Sequence, residues 1–494
     1  MRALLAVSLA LLLLCLGDEV MDVDPAQDAD VASRIARSGR WLQLEDFNGP
    51  FINKPPLMLQ AQAVAMLALG PTSVAARLPA LLFAMLAVLG TGLLGARLGG
   101  RALGLRAAGL LGTSVALHHM VADPKVDLAL VAMTTWAVLA FVVARERPWV
   151  AVAGWGFTAL AVLAKGPIGL AMVAFSQVHL LRSRPRLHLP AHLLGLGLFA
   201  ALVTPFYASR PDSLGFLLWT QGPGRLLGAS SFRDATTPLY VLHTAAWALL
   251  PMGPLAVLAL WRRRGFPVAT WWLALTCLAV AFAQFKLPQY VYWVAPPAAL
   301  LGAQALEDLT LPRWPAVGLA GLAAALGVLV LGFAFPPSLV VGVGLGVALL
   351  VPVVVAARAP AQLGWATSTL GFLAVFHLWL HPSLLEFQPS RELGALVQQL
   401  EPGRTELPVL GAERTFSLAY YAQRALPPVS AEEVRVGLLV TTDEGLAALS
   451  GAGRVVEPVS SWPAYHVSLP RLPFLRASTR ASVVKQVRLV RVVR

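Results

Sequence analysis

Residues 18–59 read DEVMDVDPAQDADVASRIARSGRWLQLEDFNGPFINKPPLML and lie between two apolar runs. A link that only turns a membrane helix around needs a handful of residues. This one is far longer and carries Asp22, Asp24, Asp28, Asp30, Glu45 and Asp46. Such a polar insert reads as part of a working site rather than as a connector. Within it, Ala29, Ala32, Ile35 and Ala36 fall on one helical face, with Asp30, Ser33, Arg34 and Arg37 elsewhere. That pattern predicts an amphipathic helix over 28–39 lying on the membrane surface. Gly39 ends it, and Pro55 and Pro56 open a second helix through Leu69, proline being tolerated in a first helical turn.

The composition places the insert in a membrane protein. Of 494 residues, 57% are hydrophobic and 13% charged, and the mean hydropathy is +0.70. A chain of this kind has more apolar surface than a water-soluble domain can hide. The formal charge of +13 comes mostly from arginines at the ends of apolar spans, where they orient the chain in the bilayer. No basic stripe is interleaved with exposed aromatics, which argues against a nucleic-acid binder. Cys15 and Cys277 both sit inside apolar runs and form neither a disulfide framework nor a metal cluster.

The chain opens with an apolar run over 3–17 behind Arg2. A positive start and a short apolar core also describe a signal peptide, but acidic residues follow at once and no small-x-small cleavage pattern is present. A retained first span is therefore expected. Further apolar spans are expected at 75–97, 103–119, 126–144, 148–164, 166–182, 189–207, 238–260, 267–285, 289–306, 314–334, 337–357 and 363–381, about thirteen in all. The positive residues gather in alternate loops: Arg97, Arg101 and Arg106; Arg145 and Arg147; Arg182, Arg184 and Arg186; Arg262, Arg263 and Arg264; Arg313; Arg358. These loops are cytoplasmic by the positive-inside rule, so the long insert, HHMVADPKVD, AKGP, residues 209–237 and FKLPQY face outward. The expected fold is an α-helical polytopic membrane protein with outer-face amphipathic helices in a first loop over 18–74. From about residue 384, apolar runs such as VRVGLLVTT alternate with helical stretches such as RELGALVQQL, which predicts a small C-terminal α/β domain over 384–494. Residues 1–383 then form the transmembrane domain. The tail carries no catalytic cluster; it caps the outer face or grips a substrate.

The polar groups of interest all fall on the outward side: Asp24, Lys54, Asp123, Lys125, Asp127, Lys165, Arg225, Lys286 and Tyr290. A single charge at a span end is an ordinary boundary marker. Here carboxylates and cations recur together in rigid proline or glycine contexts, NKPPL, ADPKVD, AKGP, GPGR and FKLPQY. Together they predict a polar outer cavity, with acids to handle a proton and cations to hold a phosphate-bearing ligand.

These motifs carry a family resemblance. MDVDPAQDADVASRIARSGRWLQ, INKPPL, AARLPALLF, ADPKVDLAL, LAKGPIGL, WTQGPGRLLG, FKLPQY and PSRELG resemble, in order and spacing, the glycosyltransferases of the C-type membrane fold. Members use polyprenyl-phosphate-linked sugars and include lipid A aminoarabinose transferases and protein O-mannosyltransferases. The resemblance implies sugar transfer from the lipid carrier to a lipid, protein or cell-envelope glycan at the periplasmic face of a bacterial inner membrane, with inversion. It implies Asp24 as general base or acceptor-orienting carboxylate, Asp127 as the second acidic residue, and Lys54 as the cation that neutralises the departing phosphate. Arg225 and Lys286 are implied phosphate contacts. Tyr290 helps to build the cavity, and Lys165 is either a ligand contact or a structural residue at its span boundary. Three positions depart from the pattern: Asn53 before KPP, Asp28 where an aromatic is usual, and Gln289 in place of a histidine. The first and last remove ligands for a divalent metal ion, leaving Asp24 and Asp127 as oxygen donors and His243 as a lone histidine at a span edge. The metal is therefore optional. Two alternatives stay open, a polytopic transporter and a member of the fold that has lost activity. The one-sided charges and the lack of repeated halves speak against the transporter.

Overall fold

The computed structural model describes residues 1–183, 188–211, 214–220, 222, 224, 237–262, 265–308 and 310–494. Helix α1 (Arg2–Leu14) passes through a short 3-10 turn over Cys15–Gly17 into the polar insert. Helix α2 (Asp24–Ser38) starts four residues earlier than its apolar periodicity indicates, with Pro25 in its first turn. It stops at Gly39, whose φ of +68° is left-handed, where a residue without Cβ is favoured. A two-stranded hairpin, β1 (Glu45–Asp46) and β2 (Gly49–Pro50), follows, then α3 (Leu57–Leu69) after the proline pair.

The expectation that the first helix lies on the membrane surface needs correction. Nine of the 15 residues of α2 are buried, because it is packed between α3 on one side and the C-terminal helix α18 (Phe416–Ala422) on another. Its apolar face meets protein. Asp28 and Asp30 are also buried, and each is paired with a cation, Lys54 and Arg34, as burial of a charge requires.

Helix α4 (Ser73–Gly112) is interrupted at Gly99 and Gly100, the latter at φ +88°. The chain reverses there. A Cβ on Gly104 would stand 2.3 Å from the carbonyl oxygen of Gly92 and 2.8 Å from the Ala96 nitrogen, so the two limbs touch backbone to backbone. After a break at Thr113, α5 (Val115–Ala122) completes the return, capped by Ser114. The bundle continues with α6 (Asp127–Val143), α7 (Val150–Lys165), α8 (Pro167–Gln177), α9 (Leu189–Ala208), α10 (Leu239–Ala248), α11 (Met252–Trp261), α12 (Pro267–Phe282) and α13 (Ala295–Asp308). Three further spans are α14 (Trp314–Ala334), α15 (Leu339–Arg358) and α16 (Ala361–Leu385). Arg97 meets Glu146 at 3.0 Å and Arg106 meets Glu307 at 3.2 Å, which joins the basic turns at one end of the bundle.

Among the described residues, five helices (α4, α9, α14, α15 and α16) are long and apolar enough to cross a membrane, or six if α10 and α11, bent by 120°, count as one. Six further apolar helices are shorter: α1 with its 3-10 turn, α3, α6, α7, α8 and α12. The expected total of about thirteen is not established by helix length. Hydropathy averages over a window and does not see a backbone break, so 103–119 is divided at Thr113, 238–260 at Leu250–Pro251, and 289–306 begins with a 3-10 turn over Pro288–Val294. The outer faces of the long spans remain apolar and open; Leu339 and Val340 of α15 are 84% and 83% exposed. Surface of that kind is stable against lipid and not against water. The chain is an integral membrane protein.

After α16 come α17 (Ser390–Leu400), β3 (Val409–Leu410), α18, β4 (Gly437–Thr441), α19 (Asp443–Gly451), β5 (Val456–Ala464) and β6 (Lys485–Val492). The sheet order is β3-β4-β6-β5, with β3 parallel to β4 and the other pairs antiparallel. Leu393, Val397, Val409, Leu418, Val440 and Leu489 form its core against α17 and α18.

The turn in α4 sets how closely its limbs approach. Gly104→Ala is expected to lower the thermal unfolding midpoint in detergent, by an overpacking cost of about 1–3 kcal/mol. Gly318→Ala, in α14 with nothing within 4 Å of the new Cβ, is expected to leave the midpoint unchanged or raise it by the helix-propensity gain of about 0.5–1 kcal/mol.

Candidate active site

Several chain reversals meet at the end of the bundle opposite the arginine pairs. Asp24 is the first residue of α2 and Lys54 lies in the link from β2 to α3. Lys125 lies in the turn from α5 to α6, and Asp127 opens α6. Lys165 closes α7, and Tyr290 and Trp293 stand in the 3-10 turn before α13. All line one cavity of about 390 Å³. Its remaining wall is largely apolar and includes Ile168, Phe175, Leu217, Val280 and Phe285.

The charges alternate in sign. Lys54 Nζ donates to Asp28 Oδ1 at 2.8 Å and lies 3.8 Å from Asp24 Oδ1. Lys125 Nζ lies 3.8 Å from the other Asp24 oxygen and 3.0 Å from Asp123 Oδ2. Lys165 Nζ donates to both Asp127 oxygens at 2.7 Å, and Trp293 Nε1 donates to Asp127 Oδ1 at 2.5 Å. The Lys165 ammonium also sits 5.1 Å from the centre of the Tyr290 ring and 5.6 Å from that of Trp293. Those two rings stack at 4.6 Å. A cation over stacked aromatic faces gains quadrupole attraction in addition to its ion pair.

Exposure separates the carboxylates. The side chains of Asp28 and Asp127 are each 1% exposed and that of Asp24 is 40% exposed. Asp24 is thus the paired carboxylate that a ligand can reach. Lys54 holds its carboxyl down to about 2, outweighing the opposing effect of burial, with help from Lys125 and Lys165. Burial pushes Asp28 the other way, to about 6, against the attraction of Lys54. Burial also works against the Lys54 charge, but Asp24 and Asp28 outweigh it and hold the ammonium above the usual lysine value. Of the two acids that share Lys54, Asp28 is the one that takes up a proton near neutral pH.

The structure brings Asp24, Asp127, Lys54, Lys165 and Tyr290 together around the cavity. Lys286 is buried at 4% exposure in the link just before the turn that carries Tyr290, but is not one of the cavity's lining residues. Arg225 lies outside the described residues. Lys165, which the sequence leaves between two roles, lines the cavity and pins Asp127. Three residues gain parts that the sequence does not assign. Lys125 is a direct neighbour of Asp24, Asp28 is the closer partner of Lys54, and Trp293 clamps Asp127. The spacing of Asp24 and Asp28, one turn apart on a helix, is the sequence signal that both can serve one cation. Asn53 and Gln289 line the cavity, whereas His243 is exposed on α10.

Lys54, Lys125 and Lys165 are interleaved with Asp24, Asp28, Asp123 and Asp127. Among the described residues no three His, Cys, Asp or Glu side chains converge as a metal site. Each of those four aspartates is already paired with a lysine, so the described donor set does not fit a divalent ion.

No family model matches the chain, and no curated protein matches it in sequence. Among solved structures, ArnT from Cupriavidus metallidurans in the apo state matches with a TM-score of 0.76 at 16% identity, over 99% of this chain and 97% of that one. The same protein bound to undecaprenyl phosphate matches with a TM-score of 0.75 at 19% identity and the same coverage. The chain has the fold of ArnT. The likeness runs from α1 through the C-terminal sheet, so the cavity belongs to a membrane architecture shared over its whole length.

An anion that binds beside Lys54 is expected to do so in a pH-dependent way, through Asp28. While Asp28 is ionised it holds Lys54, and its protonation releases the ammonium for an incoming anion. An anion therefore raises the Asp28 pKa, and binding takes up a proton. Affinity for a phosphodiester, whose own charge is constant in this range, is expected to rise as pH falls from 8 towards 6, by about tenfold per unit of pKa rise. Asp28→Asn is expected to bind tightly at pH 8 and to lose the dependence. Isothermal titration in two buffers of different ionisation enthalpy measures the proton uptake directly, and equal heats for the wild type would contradict it.

Proposed function

We propose that the chain is a glycosyltransferase that moves a hexosyl or pentosyl group from a polyprenyl-phosphate donor to an acceptor. The acceptor is a lipid A-like lipid, a protein or an envelope glycan at the outer face of the bacterial inner membrane. The observation that carries this is the two-sided cavity, in which three lysines and one accessible carboxylate face an apolar wall. A polyprenyl phosphate has those same two sides, and an ArnT structure holds such a lipid. Asp24, Asp127, Lys54, Lys165 and Tyr290 belong to this site. Residues 1–383 carry the membrane domain, and 384–494 form an outer domain packed on the polar insert.

In the step supported by this geometry, the acceptor oxygen attacks the anomeric carbon as the bond from that carbon to the phosphate oxygen breaks. The phosphate leaves with the electron pair, and Lys54, Lys125 and Lys165 stabilise its growing charge. The acceptor proton passes to Asp24, and attack from the side opposite the phosphate inverts the centre. A carboxylate held at about 2 is a weak base, since proton transfer is most effective when the base matches the working pH. The arriving phosphate changes that by drawing on the same lysines and raising the proton affinity of Asp24. Base strength thus appears when the donor is in place. Asp127, fully occupied by Lys165 and Trp293, shapes the field and holds Lys165 rather than meeting the acceptor. No step runs through a metal ion.

Purified protein with a polyprenyl-phosphate sugar is expected to transfer or hydrolyse it, and mass spectrometry of envelope lipids and glycoproteins is expected to show one glycosyl increment that depends on this chain. Asp24→Asn should lower kcat by about 10²–10⁴-fold with little change in donor KM. Lys54→Met should raise donor KM and lower kcat together, since phosphate contact is needed in ground and transition states. A solute accumulating differently with every glycoconjugate unchanged would replace this reading with the transporter.

A further inference from the structure

Asp22 and Asp24 lie on opposite sides of one short segment. Asp24 lines the lysine cavity. Asp22 is buried behind it and lines a separate cavity of about 270 Å³ among α17, the β3–α18 loop and β5. The segment between α1 and α2 is held almost entirely from that second side. The Asp22 N–H donates to Gln388 Oε1 at 2.8 Å, and Gln388 Nε2 donates to the Val20 carbonyl at 2.8 Å and to Glu19 Oε1 at 3.1 Å. The Val20 N–H donates to the Tyr421 hydroxyl at 2.8 Å, itself bonded to Ser73 Oγ at 2.7 Å. The Ser417 N–H reaches Asp22 Oδ1 at 3.1 Å, and its hydroxyl donates to Asp22 Oδ2. From the amino-terminal half, Arg77 donates to the carbonyls of Asp18 and Glu19, and its Nε is anchored on the Ala122 carbonyl.

Buried amides need partners, and here those partners come from residues more than 360 positions away in the chain. We propose that Asp22, Gln388 and Ser417 are positioning residues: the C-terminal elements set the place of the Asp24 carboxylate by gripping the backbone two residues before it. This rests on the reading of Asp24 as the carboxylate that serves the acceptor. The tail acts through the insert, without touching substrate. The sensitivity is steep, since a reacting group misplaced by 1 Å can cost about 10²-fold in rate.

The test uses the full chain in nanodiscs and reads two quantities, hydrogen exchange of the peptide covering residues 19–24 and steady-state kinetics with a polyprenyl-phosphate sugar. Ser417→Ala and Gln388→Ala are expected to speed exchange at that peptide by about tenfold or more. They should also lower kcat by about 10–10²-fold, with donor KM within about twofold of wild type. Ser417→Thr, which keeps the hydroxyl and the N–H, should restore both. Ser430→Ala removes a hydroxyl that donates to Glu433 in an exposed turn of the C-terminal region, away from the segment and from the Asp22 cavity, and should change neither. Faster exchange with unchanged kcat, or lower kcat with unchanged exchange, would overturn the grip. A wild-type chain that turns over no such donor while exchange responds as expected would defeat the glycosyl-transfer reading and support the grip.

Discussion

Lys54 is shared by two carboxylates, one buried and one open, and the amino-terminal part of the protein is arranged to make that sharing feasible. A lone charge at the centre of a membrane-spanning helix costs about 2.5–3.5 kcal/mol on insertion scales, and a charge buried in protein needs a partner for the same reason. The site contains three lysines and four aspartates, each with an opposite charge within 4 Å. No single helix could supply that set. It comes together only because the insert folds back over the ends of α5, α6 and α7. The buried face of α2 supplies Asp28 and the link before α3 supplies Lys54. The pairing requirement therefore places the insert where it is, and the insert carries Asp24 with it.

Pairing alone does not make a site. Asp127 at the first turn of α6 and Lys165 at the last turn of α7 also sit where helix dipoles favour them, so their ion pair is what two adjacent antiparallel helices would form in any case. What distinguishes the cavity is imbalance. Asp24 faces two lysines at 3.8 Å, contacts that are longer than ideal, while each lysine has a closer partner at 3.0 Å or less. Asp24 is the loosest member of the ladder and the most exposed. An anion entering among the lysines would weaken the contacts of Asp24 before those of Asp28 or Asp123, because those acids hold on at shorter range.

Much of this arrangement was legible in the chain. The insert, its helix stop at Gly39 and helix start at Leu57, and the basic turns around Arg97 and Arg145 follow from local chemistry, which periodicity, proline, glycine and charge express directly. The convergence of Asp24, Lys54, Asp127, Lys165 and Tyr290 could be inferred because each sits at a helix end on one side of a bundle. The breaks at Thr113 and in the α10–α11 bend could not be seen in hydropathy, which is blind to backbone direction. Nor could the setting of α2: an amphipathic helix looks the same whether its apolar face meets lipid or α3. Asp28 stood out in the sequence only as a misfit, a carboxylate where an aromatic was expected, and its meaning depends on Lys54, 26 residues away.

The C-terminal sheet fits the same logic. Its strands β3 and β4 are short and parallel, and loops at the carboxyl ends of such strands are where open sheets usually place ligand-binding residues. Here the loop after β3 leads into α18, whose first turn carries Ser417 and whose last turn carries Tyr421. Both residues turn toward the insert, not toward solvent. The edge that commonly serves a ligand is instead spent on another part of the chain, the peptide between α1 and α2. That peptide lacks helix or sheet partners of its own for the Val20 and Asp22 N–H groups, which donate instead to Tyr421 and Gln388. A polar insert that carries the open carboxylate of Asp24 out from the bundle is therefore held by a second set of elements, and the tail supplies them.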